Sequence, residues 1–126
     1  MKILLVDDDA DMITILGTIL RTEGFEVEEA ENGMEAVEKM KTMIPDMIVT
    51  DVMMPKMNGW ELCHKVRETA DVKHVPILAL TAKSTQIDEM MAYECGASEY
   101  LPKPFENSVF LEKVRRLSAK PAPHEI

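Results

Sequence analysis

Ile3-Leu4-Leu5-Val6-Asp7-Asp8-Asp9 places four consecutive apolar side chains ahead of three acids at the start of the chain. Successive strand residues point to opposite faces, so an unbroken apolar run predicts a strand buried on both sides. Strands of that kind belong to parallel sheets with helices on each face. The stretch that follows supplies such a helix. Over residues 10–23, Met12, Ile13, Leu16, Ile19 and Leu20 recur at helical spacing, and Gly24 ends the pattern. Residues 25–30 then alternate apolar and acidic side chains, as a half-exposed strand would.

The same unit repeats to the end of the chain. Asn32 caps a helix predicted through residue 43, with Val37, Met40 and Ile44 near one face and Pro45 beyond its end. Residues 47–52 form the next strand, interrupted by Thr50 and Asp51. Met53-Met54-Pro55-Lys56-Met57-Asn58-Gly59 carries the punctuation of a loop. A helix over 60–69 turns Leu62, Cys63 and Val66 inward, and a fourth strand covers 75–80. A helix over 84–95 is capped by Ser84 and closed by Gly96. A short fifth strand covers 99–102, and a last helix over 107–117 stripes Phe110, Val114 and Leu117 along one side. Five βα units with short links imply an α/β fold, a doubly wound parallel five-stranded sheet of order 2-1-3-4-5. Residues 1–118 form its one domain. Residues 119–126, with Pro121 and Pro123, read as a flexible tail or the start of a linker.

Composition agrees. The 126 residues suit one core, and 46% hydrophobic with 29% charged residues is globular and excludes disorder. Lys and Arg number 14 against 23 Asp and Glu, a net charge of −9 that repels phosphate backbones and anionic bilayers. Direct nucleic-acid binding and membrane insertion are therefore not expected. The apolar start reaches Asp7 too soon for a signal peptide or a span. Cys63 and Cys95 lie in helical patterns without metal or redox spacing, and read as reduced packing residues of a cytoplasmic protein. His64, His74 and His124 are isolated from one another, so each reads as an exposed histidine. The eleven methionines read as core filler, with Met53, Met54 and Met57 as a loop patch.

In such sheets ligands bind beyond the carboxyl ends of the strands, where the strand order reverses. Asp7 and Asp8 end the first strand and Asp51 the third, and these strands are neighbours in the predicted order. Three converging carboxylates call for a cation, and an all-oxygen set favours a hard ion such as Mg²⁺ over Zn²⁺. Thr81 ends the fourth strand and Lys103 the fifth, adding a hydroxyl and an ammonium at the same rim. Acids, a metal, a Thr and a Lys suit a phosphoryl group. An Asp carboxylate can attack phosphorus to give an acyl phosphate, and transfer needs mainly positioning and charge neutralisation.

These residues resemble the receiver domains of two-component response regulators. The resemblance rests on Leu5-Val6-Asp7-Asp8-Asp9, on the stretch from Ile48-Val49-Thr50-Asp51 to Met57-Asn58-Gly59, on Leu80-Thr81-Ala82, and on Tyr100-Leu101-Pro102-Lys103-Pro104-Phe105. It spans residues 1 to about 118 in the family's order, and Gly96-Ala97-Ser98 also fits. It implies the flavodoxin-like three-layer sandwich. It implies Asp51 as phosphoacceptor, Asp8 as a direct Mg²⁺ ligand, Asp7 as a ligand acting mainly through water, and Met53 as a ligand through its backbone carbonyl. Thr81 and Lys103 match the groups that bind the phosphoryl oxygens, with the Ala82 backbone N–H beside them. Tyr100 matches an aromatic that moves inward with the Thr hydroxyl, and Lys103-Pro104 matches a bond that is usually cis.

The implied function is a signalling switch. A histidine kinase, a phosphotransfer protein or a small phosphodonor supplies the phosphoryl group. The face of the fourth helix, fifth strand and fifth helix, with Glu94, Tyr100, Glu106 and Lys113, then changes its affinity for an output protein or domain. Dimerisation on phosphorylation is left open. Catalysis is limited to self-phosphorylation and autodephosphorylation, so the chain is not expected to be an enzyme in the usual sense. Met53 and Lys83, at the positions that tune phosphoryl lifetime, offer no acid or amide to orient a hydrolytic water, which predicts slow autodephosphorylation.

Plainer readings stand beside these. Asp7-Asp8-Asp9 also suits a solvated capping turn, and Asp9 itself is read as a cap. Lys103 also suits a surface lysine, Thr81 a helix cap, and Tyr100 partly buried packing or an interface residue. A receiver that is never phosphorylated would act as a constitutive binding module. A Mg²⁺-dependent Asp-nucleophile phosphohydrolase would want an acid where Met53 stands, and a cap domain. A flavin carrier would want Ser, Thr and Gly where Asp7-Asp8-Asp9-Ala10-Asp11 stands.

Overall fold

The computed structural model describes residues 1–52, 57–81, 94 and 96–119. Its elements run β1 (Lys2–Val6), α1 (Ala10–Thr22), β2 (Glu26–Ala30), α2 (Gly33–Lys39), β3 (Met47–Asp51), α3 (Gly59–Glu68), β4 (Ile77–Thr81), β5 (Glu99–Pro102) and α4 (Asn107–Ala119). The helix predicted over 84–95 lies outside the described residues apart from Glu94, as do Met53, Ala82, Lys83, Cys95 and residues 120–126 of the predicted tail. The helix α4 is thus the fifth helix of the sequence pattern.

All four strand pairings are parallel, and the sheet order is β2-β1-β3-β4-β5. That is the doubly wound order predicted. Strand parity sorts the apolar residues into two layers. Ile3, Leu5, Met47, Val49, Leu78 and Leu80 join Leu16, Leu20, Phe110, Val114 and Leu117 on the α1 and α4 side. Leu4, Val6, Ile48, Ile77 and Ala79 join Leu62, Cys63 and Val66 on the α3 side. The central strands are buried throughout, which is why their sequences read as unbroken apolar runs.

The caps of α1 and α2 are those predicted. Asp9 accepts hydrogen bonds from the Asp11 and Met12 amides at the start of α1, and Asn32 accepts one from the Glu35 amide at the start of α2. At α3, Asn58 and Glu61 form a reciprocal capping box. The helix therefore begins at Gly59, one residue earlier than predicted. β4 starts at Ile77, later than predicted, because Pro76 has no N–H to give the ladder.

Two expectations need correction. The second helix ends at Lys39 with Met40 as its cap, well short of residue 43. Lys41 and Thr42 donate to Glu38 and Lys39 in tightened i→i+3 bonds, which wind the chain out of the helix ahead of Pro45. Ile44 consequently lies beyond the helix and is 56% exposed, so it is not part of the buried face. The second strand is also less cleanly alternating than predicted. Val27, Glu28 and Glu29 are all half-buried, because β2 is a sheet edge and its acidic side chains lie along neighbouring cations. Lys39 reaches both the Glu28 carboxylate and the Glu29 carbonyl, and Arg21 pairs with Glu29.

Candidate functional site

Register brings the predicted residues to one rim. Val6 pairs with Thr50, so the next residues along these strands, Asp7 and Asp51, emerge side by side. Asp51 is opposite Leu80 and Thr81 opposite Pro102, so Lys103 follows directly at the same end of the sheet. The Lys103 amide donates to the Thr81 carbonyl, which carries β5 one bond further and aims the ammonium back across β3. Its Nζ lies 3.1 Å from Asp51 Oδ1 and 3.6 Å from Asp7 Oδ2. The Lys103–Pro104 peptide is cis, as the resemblance implied.

Asp7 is almost wholly buried, at 1% exposure, and Asp51 nearly so at 6%. The Asp7 amide donates to Ala30 and its Oδ1 accepts from the Asp9 amide at 2.9 Å. Among the described residues nothing donates a hydrogen bond to Oδ2, since the lysine is beyond bonding distance. Burial pushes the Asp7 carboxyl up to about 6 against a usual 3.8; the Asp9 N–H and Lys103 oppose the shift, and Asp51 and Asp8 add to it. Burial raises Asp51 too, with Lys103 holding it down and Asp8 adding repulsion. Among the described residues Lys103 is the one lysine paired with these carboxylates, which leaves the cluster short of positive charge.

Asp7, Asp8 and Asp51 offer oxygens that all lie within 4.8 Å of one another. A buried carboxylate oxygen without a hydrogen bond, raised carboxyl pKa values and an all-oxygen donor set fit a hard divalent cation. Asp8 is exposed, so the cluster is open to water on one side, as Mg²⁺ requires to keep part of its hydration shell. A cleft between α1, β2 and α2, lined by Asp7, Asp8, Glu31 and Lys39 among others, opens beside it.

The chain matches a family model described as the response regulator receiver domain over residues 3–115. It belongs to that family. A transcriptional regulatory protein CpxR homolog of Haemophilus influenzae is 41% identical over 124 residues, covering 96% of this chain and 53% of that protein. The receiver domain spans about half the length of the curated relatives it matches. A putative response regulator from Chloroflexus aurantiacus superposes with a TM-score of 0.90 at 36% identity, covering 94% of this chain and 98% of the other. The receiver domain of sensor histidine kinase PA1611 from Pseudomonas aeruginosa, described with a magnesium ion coordinated in its active site cleft, superposes with a TM-score of 0.86 at 29% identity, covering 94% and 98%. Receiver domains of response regulators are signalling proteins rather than classical enzymes. The architecture is the flavodoxin-like one of these neighbours.

Of the predicted site residues in this receiver domain, Asp7, Asp8, Asp51 and Lys103 meet directly. Thr81 is buried at the end of β4 beside them in register. Tyr100, on β5, is half-buried and packs against the layer on the α3 side. Cys63 is a packing residue, as read from the sequence, Trp60 packs partly buried against the same layer, and exposed His64 pairs with Glu68 at 3.1 Å. No helix among the described residues is long and apolar enough to cross a membrane.

Two contributors were not identified from the sequence. Gly59 presses so closely on β3 that a Cβ there would come 2.5 Å from the Asp51 carbonyl oxygen. The Asn58-x-x-Glu61 spacing, a legible capping signature, would have placed this helix start against the acceptor. Gly33 makes a similar approach to Met57 from α2, and nothing local in the sequence announces that contact.

Proposed function

We propose that this receiver domain is a phosphoacceptor switch in which Asp51 takes a phosphoryl group from a histidine kinase, a phosphotransfer protein or a small phosphodonor. The observation that carries the reading is a nearly buried Asp51 carboxylate held 3.1 Å from Lys103, with Asp7 and Asp8 oxygens within 4.8 Å. One Asp51 oxygen attacks phosphorus as the donor's bond to phosphorus breaks, and the departing group leaves with that electron pair. Asp7, Asp8, Asp51 and the Met53 backbone carbonyl would hold Mg²⁺, which supplies neutralisation of phosphoryl charge. Lys103 moves from carboxylate to phosphoryl oxygen, an exchange of one charge-assisted hydrogen bond for another. Thr81 donates its hydroxyl to a second oxygen, and the Ala82 amide faces a third. The roles of Met53 and Ala82 rest on the family resemblance alone, because both lie outside the described residues.

Signal transmission follows from the same movement. Thr81 shifts toward the phosphoryl group, Tyr100 follows, and the surface of the 84–95 segment, β5 and α4 changes its affinity for an output protein or domain or for a second receiver. In the described residues this surface is cross-linked through Glu99, which pairs with Lys113 at 3.1 Å and Arg116 at 3.9 Å. Residues 1–118 act as the switch and 119–126 as a tail or the start of a linker. The chain makes no direct nucleic-acid contact, and it works in the cytoplasm without membrane insertion.

The test is intact mass after incubation with acetyl phosphate and Mg²⁺, with an EDTA control and an Asp51→Asn variant. One phosphoryl gain that requires both the metal and Asp51 is expected. No gain, or a gain indifferent to Asp51→Asn, would move the reading to a binding module that acts without phosphorylation.

A further inference from the structure

The acceptor strand end is held from two helices, and at each hold a glycine approaches too closely to leave room for a Cβ. At α3, the Gly59 amide donates to the Val52 carbonyl at 2.9 Å, and its Cα lies against the Asp51 carbonyl. Asn58 precedes it as the cap, and Met57 precedes Asn58. Met57 is in turn held from α2, where the Gly33 amide donates to its carbonyl at 3.3 Å. A Cβ on Gly33 would sit 2.7 Å from the Met57 carbonyl oxygen and 2.8 Å from Met57 Cβ and Cγ. The described glycines with positive φ are Gly24 and Gly96. At Gly33, then, the backbone would accept a side chain, and the three nearest atoms that oppose one all belong to Met57.

We infer that Gly33 is a positioning residue for the acceptor: it seats Met57, and through the Asn58 cap and Gly59 sets where the end of β3 carries Asp51. The inference rests on the phosphoacceptor reading above. Ordinary van der Waals contact begins near 3.4 Å, so alanine at this position must displace Met57 by about 0.7 Å or tilt α2 away. Misplacement by 1 Å at a reacting centre costs roughly a hundredfold, so a partly transmitted shift should cost about three- to tenfold in metal affinity and in the rate of phosphoryl uptake. Helix propensity acts in the opposite direction, because alanine is the better helix former. A loss would therefore come from the Met57 contact and not from α2 itself.

Wild type, Gly33→Ala, Gly17→Ala and the double variant Gly33→Ala/Met57→Gly are compared. The readouts are the midpoint of the Mg²⁺-dependent rise in Tm and the rate of phosphoryl gain from acetyl phosphate. Gly17 lies in α1, where a Cβ would meet the flexible ends of Arg21 at 3.2 Å and of Glu29 at 3.5 Å, neither of them backbone, so this variant should match wild type. Gly33→Ala should raise the Mg²⁺ midpoint about three- to tenfold and slow phosphoryl gain to a similar degree. The double variant, relieved of two of the three close atoms, should recover part of both. A Gly33→Ala protein with the wild-type midpoint and rate overturns the inference. If Gly33→Ala does not fold, amide exchange in the wild type decides: Mg²⁺ should slow exchange at the Gly33 amide relative to EDTA, and unchanged exchange overturns it. A wild type with neither a Mg²⁺ response nor phosphoryl gain sinks the acceptor reading itself, and the inference with it.

Discussion

Replacing Asp7 by Asn should stabilise the metal-free protein, although it removes a residue of the site. A carboxyl whose pKa rises from 3.8 to about 6 on folding is penalised in its ionised form. At 1.36 kcal/mol per tenfold change, the penalty is about 3 kcal/mol near neutral pH. The amide keeps the acceptor that Asp7 Oδ1 offers to the Asp9 N–H, and its NH₂ can donate to Asp51. It forfeits the 3.6 Å attraction to Lys103, so the net gain should be about 1–3 kcal/mol. For a domain of this size that is a rise in Tm of roughly 4–12 °C. The sign of the pH dependence follows from linkage. Between the unfolded and folded pKa values the native state binds the extra proton, so this contribution to stability falls as pH rises from about 4 to about 6 and is flat above. The gain from Asp7→Asn should be absent near pH 4 and complete by about pH 7. Calorimetry of both proteins in EDTA across that range measures it, and added Mg²⁺ should stabilise only the wild type. A variant no more stable than wild type at neutral pH, or a gain independent of pH, would refute the electrostatic account of this cluster.

Mg²⁺ binding needs the ionised carboxylates, so its midpoint should rise by about tenfold per pH unit below 6; a midpoint unchanged between about pH 5 and 7.5, read from the metal-dependent change in Tm, would contradict the assignment of Asp7. Lys103→Met should lower Tm at neutral pH by the equivalent of about 1–3 kcal/mol and by less at pH 5, because protonation relieves carboxylates left without their cation; equal losses at both pH values would argue against it. Arg67 donates to the carbonyls of Gly96, Lys73 and Val75 and to Ser98 Oγ, bolting the end of α3 to the starts of β4 and β5. Arg67→Leu should cost about 2–4 kcal/mol in urea unfolding without moving the Mg²⁺ midpoint. Met53 and Lys83 supply no group to orient a hydrolytic water, so the acyl phosphate should outlast minutes after donor removal, and a lifetime of seconds would refute that reading.

Much of this protein was legible in its sequence because the deciding forces are local or periodic. Unbroken apolar runs such as Ile3 to Val6 require burial on both faces, and that requirement alone selects a parallel sheet covered by helices. Asp9 and Asn32 were legible as caps because the capping bond spans only two or three residues. The acids at the ends of β1 and β3 were legible as partners once the strand order was inferred, since parallel register carries them to the same edge. The end of α2 was not legible, because the tightened bonds at Lys41 and Thr42 compete with a helical pattern that continues in sequence. Tertiary structure alone decided the quantities on which function depends. It placed Lys103 between two carboxylates 44 residues apart in the chain, left Asp7 Oδ2 without a hydrogen bond, and brought Gly33 against Met57. Each of these is a distance between segments far apart in sequence. Such distances follow from how helices seat on the sheet, to a fraction of an ångström, and no periodicity encodes them.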